Sequence, residues 1–93
     1  MRVGLLRVRL LLRESRSLKD KRGVVKSIKD RLRSKFNISI AEVGGLNSRQ
    51  LAELGIALVS NDSRFIESTL SKVLGFIRGN PFAEVSESEI EII

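Results

Sequence analysis

An α+β fold is what this chain predicts, with two helices on one face of a four-stranded antiparallel sheet. Three features predict it. Apolar residues alternate at period two in four stretches, they recur at helical spacing in two others, and the six follow one another in the order βαββαβ. With 93 residues and 42% apolar content the chain can fill one core, so residues 1–93 are read as one domain without repeat, linker or low-complexity tract.

From Val3 to Leu12 the alternation sends Leu6, Val8, Leu10 and Leu12 one way and Leu5, Arg7, Arg9 and Leu11 the other, a strand with one apolar and one mixed face. Ser17, followed three residues on by Asp20, has the form of a capping box and opens a helix. At about 100° per residue, Leu18, Val25, Ile28, Leu32 and Phe36 fall within an arc of about 80°, which is a core-facing stripe. Gly23 lies off that stripe and costs about 1 kcal/mol against Ala. Asn37 to Val43 reads as the second strand, Gly44 to Ser48 as a loop, and Leu51 to Ser60 as the third strand with Leu54, Ile56 and Leu58 on one face. Asn61 or Asp62 caps the second helix, which buries Ile66, Leu70, Val73 and Ile77 and stops at Gly79-Asn80-Pro81. Phe82 to Ile93 alternates Ser86, Ser88, Ile90 and Ile92 against Glu87, Glu89 and Glu91, giving the last strand.

Two right-handed β-α-β crossovers joined through the middle arrange these strands in the order 4-1-3-2, the ferredoxin-like split βαβ sandwich. The first strand then lies beside the last, and Arg7 and Arg9 face Glu87, Glu89 and Glu91 across the helix-free side, each pair contributing about 0.2–1 kcal/mol.

Charge is unevenly distributed. Residues 1–36 hold 13 basic and 3 acidic side chains and residues 37–93 hold 4 and 8, so the first part carries +10 and the rest −4 within a net +6. Such a gradient favours polyanionic partners, and it would equally serve to hold the two parts of the chain together. With no Cys and no His, the chain excludes disulfides, soft-metal sites, thiol nucleophiles, imidazole bases and haem ligation. Glu84, Glu87, Glu89 and Glu91 alternate along a strand without the loop geometry of a hard-cation cage, so neither metal nor cofactor is expected. Nor does any apolar run approach the roughly 20 residues that span a bilayer, and the opening MRVGLLRVRLLLRES alternates Arg with Val and Leu, unlike a secretory leader. The expectation is a soluble cytoplasmic protein.

The sharpest functional signal is in residues 17–36, SLKDKRGVVKSIKDRLRSKF, which hold eight Lys or Arg against two Asp. On the helical projection Lys29, Arg22, Arg33, Lys26 and Lys19 share an arc of about 80° and run along roughly 21 Å of helix, with Arg16 just ahead of it. Only Asp30 is placed to offset them. A row of like charges repels itself by a few tenths of a kcal/mol per neighbouring pair, so a phosphate backbone, of RNA or a ribosomal particle, is the expected partner. Plain solvated surface competes with that reading, because Lys and Arg are good helix formers, and an anionic membrane or acidic protein is a further alternative. The chain lacks Trp and Tyr, and its Phe36, Phe65, Phe76 and Phe82 lie in or beside helices or at a strand start, so no base-stacking platform is expected on the sheet.

Two other readings compete. Leu5, Leu11, Gly55, Ala57 and Val59 leave a small-residue apolar patch on the helix-free face, suited to a homodimer or larger homo-oligomer. Arg13, Arg16 and Ser17 precede the first helix as an anion-binding loop would, and small ferredoxin-like acyl-phosphate hydrolases place an Arg in a comparable loop. That loop has no glycine-rich cradle and contains Glu14, so the chain is read as non-enzymatic, its start at Ser17 as simple capping.

Arg16-Ser17-Leu18-Lys19-Asp20-Lys21-Arg22, then Val24-Val25-Lys26-Ser27, resembles the RSLKEKR-type signature of the YlxP-like family of small bacterial proteins, a domain family of unknown function. Lys35 to Val43 resembles that family's second block and Leu54 to Asp62 its third, so the likeness covers nearly the whole chain. It implies a ferredoxin-like fold. Members commonly sit among genes for translation initiation and ribosome maturation, which implies a ribosome-associated role. Where many relatives carry an acidic, aromatic loop ending in Trp-Gln-Arg, this chain has Gly44-Gly45-Leu46-Asn47-Ser48-Arg49-Gln50-Leu51, and Gln50 alone of that trio matches.

Overall fold

Alternation along the first strand decides the layering. In the computed structural model, which describes residues 1–93, Leu6, Val8 and Leu10 of β1 (Arg2–Leu11) are buried while Arg7 and Arg9 are exposed. The elements that follow are α1 (Leu18–Lys35), β2 (Ser39–Gly44), β3 (Leu51–Ser60), α2 (Ser63–Arg78) and β4 (Glu84–Ile92). All strands pair antiparallel in the order β2-β3-β1-β4, and β1 is therefore central, with β2 and β4 as edges.

The expected ferredoxin-like α+β architecture and strand order are the observed ones. Boundaries differ at three strands: β1 begins at Arg2 and ends at Leu11, β2 starts at Ser39 instead of Asn37, and β4 starts at Glu84 instead of Phe82. The last two delays have a local cause. Pro81 and the turn closed by Phe82 N–H to Asn80 Oδ1 (2.8 Å) occupy the approach to β4, while Ile38 N–H bonds back to Phe36 O (3.0 Å) ahead of β2.

Helix starts follow the local chemistry. Ser17 Oγ accepts from Asp20 N (3.0 Å) while Asp20 Oδ2 accepts from Arg16 N (3.1 Å), so two donors at the α1 entrance are satisfied reciprocally. Asp62, rather than Asn61, caps α2 and accepts from Arg64 N (2.9 Å). The 17-residue core joins Leu6, Val8, Leu10 and Leu12 to Val25, Ile28 and Leu32 of α1, Ile66, Leu70, Val73 and Ile77 of α2, and the inward residues of β2 and β3. Leu18 and Phe36, at the ends of the expected α1 stripe, are only half-buried.

The helices sit side by side on the sheet, α1 over β2 and α2 over β1, β3 and β4. Gly4 of β1 allows this approach: a Cβ there would overlap Ile66 and come within 3.1 Å of Leu70. Gly23 is the opposite case, with open space where its Cβ would be. The expected outcomes are therefore opposite in sign. In urea unfolding, Gly23→Ala should raise stability by about 1 kcal/mol through helix propensity, whereas Gly4→Ala should lower it by about 1–3 kcal/mol through overpacking.

Candidate nucleic-acid interface

Five basic residues at spacing three and four are carried by α1 along the flank next to the core stripe, as its sequence dictates. The fold treats them unequally. Lys26 Nζ lies 2.6 Å from Asp30 Oδ2, and Arg33 is 3.9 Å from the same carboxylate while donating to Ile40 O of β2 at 3.0 Å. Lys19 and Arg22 are exposed, Lys29 is half-buried, and none has a carboxylate within ion-pair distance. Arg16 is likewise exposed and unpaired just ahead of the helix. Within the row, Lys19, Arg22 and Lys29 are thus the charges without an internal ion-pair partner.

The Lys26 hydrogen bond, reinforced by the charges of Lys26, Arg33 and Lys29, holds the Asp30 carboxyl below its ordinary value against a smaller opposing effect of desolvation. A depressed folded-state pKa makes Asp30 stabilising above its unfolded value, with the contribution lost as the pH falls through the lower folded value. Carboxyl titration followed by NMR should place the Asp30 midpoint below 3.8, and Lys26→Ala should move it back up.

Lys21 is the functional-looking residue that projection of the basic row misses. It is 0% exposed, and its Nζ donates to Glu42 Oε2 (2.9 Å), Gly45 O (2.6 Å) and Leu51 O (3.2 Å), with Leu46 O at 3.4 Å. The signal was present in the helical projection: Lys21 falls at about 300°, inside the arc of the core stripe. A cation at a core position must find an anion from another element. Glu42 supplies it because β2 turns that side chain toward the helices, opposite Leu54. Gly45, at φ +69, turns its carbonyl to the ammonium, and a Cβ there would lie 2.9 Å from Leu51 O. Removing Lys21 would leave Glu42 with its side chain 13% exposed and without its cation. Lys21→Ala should therefore lower unfolding stability by about 3–5 kcal/mol, read as a shifted urea midpoint.

The helix-free face carries the other predicted residues. Arg9 binds Glu53 (2.8 Å) and stands 3.8 Å from Glu87, so β3 supplies an ion-pair partner in addition to the expected β4. The Glu53 hydrogen bond, then the Glu87 charge, raises the Arg9 pKa above its ordinary value. Leu5, Gly55 and Ala57 line a hollow of about 470 Å³ with Ala41 and Val43. Leu11 does not join them. By register Arg9 and Glu53 stand between the Leu5–Ala57 pair and the Leu11–Leu51 pair, while Val59 is exposed at the far end of β3. In the loop before α1, Arg13 is held by Glu84 at 2.9 Å and the Ser15 hydroxyl donates to Ser17 O. Ser17 is taken up by the helix cap. No group of three or more carboxylate, His or Cys ligands is gathered anywhere, and no helix is long and apolar enough to cross a membrane.

The architecture and its basic first helix define a small ferredoxin-like domain, and similarity to known proteins narrows the class. The family described as "Protein of unknown function (DUF503)" matches residues 3–90, and the chain belongs to that family. It is 38% identical over 82 residues to the "Uncharacterized protein YlxP" of Bacillus subtilis (strain 168), covering 88% of this chain and 89% of the relative. Among solved structures, the "De novo designed protein Foldit4" superposes with a TM-score of 0.57 at 16% identity over 100% of this chain and 97% of its own, which shows the fold alone.

Proposed function

We propose that the protein is a non-enzymatic accessory factor that binds RNA or a ribosomal particle through the phosphate backbone, using α1. The observation that carries this reading is that Lys19, Arg22 and Lys29 share one helix flank, with Arg16 ahead of them, and none has a carboxylate within ion-pair distance. Lys26 and Arg33 lie in the same row and contribute less because Asp30 already faces them. Phe65 and Phe82 are exposed, but on α2 and ahead of β4, so the sheet offers bases no stacking surface and recognition is of phosphate rather than sequence.

The homo-oligomer reading is weaker on electrostatic grounds. Glu53, Glu87, Glu89 and Glu91 outnumber Arg7 and Arg9 on the helix-free face, so two copies meeting there would bring net negative surfaces together. The acyl-phosphate hydrolase reading loses Arg13 to Glu84 and has no activating base beside a hydroxyl.

Fluorescence anisotropy with single-stranded RNA tests the proposal. Four phosphate contacts give a log–log salt slope of about −2.8, or roughly a fifty-fold loss between about 50 and 200 mM salt. Lys19→Glu/Arg22→Glu/Lys29→Glu, checked for folding by circular dichroism, should abolish binding to the RNA and to purified ribosomal subunits, and Asp30→Asn should strengthen it. Equal binding by the charge-reversed variant, or none by wild type at about 50 mM salt, overturns the reading.

A further inference from the structure

Beside the N-terminal end of α1 the fold forms a hollow of about 420 Å³ whose lining is wholly polar: Ser15, Arg16, Ser48, Arg49 and Gln50. We propose that this hollow is a phosphate-binding notch, in which Arg16 and Arg49 grip one phosphate from opposite loops. The proposal deepens the RNA reading, on which it rests for the source of the phosphate, and adds Arg49, a residue outside the helix row.

The two arginines come from connections far apart in the chain, and the contacts that juxtapose them are explicit. Gln50 Nε2 donates to Arg13 O and Ser15 O, both at 3.1 Å, and Leu12 N donates to Gln50 O at 2.8 Å. Ser48 Oγ accepts from Leu51 N (3.1 Å) and Gln50 N (3.4 Å), and Ser48 N bonds to Gly45 O (2.9 Å). Lys21 fixes the far side of the same loop through Gly45 O and Leu51 O. The loop that carries Arg49 is therefore held in place before any ligand arrives, which removes ordering cost from binding.

The charge of the hollow is not answered from within. Neither guanidinium donates a side-chain hydrogen bond to the protein or has a carboxylate within ion-pair distance. No acid lines the hollow, and the carboxylate of neighbouring Asp20 accepts from the Arg16 backbone N–H. Two arginines lining one hollow from separate connections suit a tetrahedral group, whose oxygens can be shared between two guanidinium forks, better than a planar carboxylate that a single fork satisfies. Ser15 donates its hydroxyl to Ser17 O, whereas Ser48 Oγ accepts from the loop and leaves its O–H free to add one donor to those of the arginines.

The test separates the notch from the helix row, and free phosphate from RNA. Inorganic phosphate is titrated at constant ionic strength into the 15N-labelled full chain, and single-stranded RNA is titrated in parallel, with wild type, Arg49→Ala, and Arg64→Ala as a control of equal charge. Expected are saturable phosphate-induced amide shifts confined to residues 15–17 and 47–50 that vanish in Arg49→Ala alone. For RNA, Arg49→Ala should lose about tenfold in affinity and flatten the salt slope by about 0.7, with the amide spectrum otherwise preserved. Saturation by phosphate without any RNA binding supports the notch with a free phosphate as its ligand and removes the helix reading. RNA binding that Arg49→Ala leaves unchanged while the charge-reversed α1 variant abolishes it overturns the notch and leaves the helix reading standing. Absence of phosphate-induced shifts together with unaltered RNA binding also overturns it.

Discussion

An ammonium group with no contact to water sits beneath α1, and the connection between β2 and β3 is arranged around it. Taking the Lys21 cation out of water costs several kcal/mol, a cost that one carboxylate alone would not offset without further acceptors. Here Glu42 provides the charge and the carbonyls of Gly45 and Leu51 the remaining acceptors. The consequence is positional more than energetic. The ammonium ties the first turns of α1 to an edge strand and to a loop that has no apolar anchor of its own beyond the half-buried Leu51. The left-handed Gly45 belongs to the same loop, and its carbonyl accepts from Nζ.

Five cations besides Lys21 are engaged by an acid or a π-face of the fold. Arg9 is held across the sheet by Glu53 and Glu87, Arg13 by Glu84, Lys26 and Arg33 by Asp30, and Lys35 sits 5.3 Å from the Phe76 ring centroid, joining α1 to α2. These exposed contacts are individually weak and screened by salt. Their collective effect is to engage Arg9 on the sheet face and Lys26, Arg33 and Lys35 on α1. At the end of the molecule where α1 begins, Arg16 ahead of the helix, Lys19 and Arg22 on its first turns and Arg49 in the β2–β3 connection all lack an ion-pair partner.

The RSLKDKR segment shows how tightly structure and surface are interleaved. Ser17 and Asp20 cap the helix, Leu18 is half-buried, and Lys21 is wholly buried, while Arg16, Lys19 and Arg22 project outward. Alternate residues of one short stretch thus hold the fold and present charge, because a helix turn places neighbours on different faces. A block that looks uniformly basic in sequence is two sets of residues with different physical tasks.

Periodicity alone determined the elements, the layering and the strand order, since both helices and all four strands must bury a face and right-handed crossovers leave one arrangement. It likewise placed Lys19, Arg22, Lys26, Lys29 and Arg33 on one flank, because that is a property of the helix and needs no partner. Tertiary structure decided which of those charges are free. Asp30's pairing was legible from i,i+4 spacing, but Arg33 reaching Ile40 O, Glu53 reaching Arg9, and the burial of Lys21 against Glu42 depend on contacts between elements that no local pattern specifies. The hollow lined by Arg16 and Arg49 is wholly of this second kind: the two residues lie in different connections, and only the packed fold brings both to one hollow.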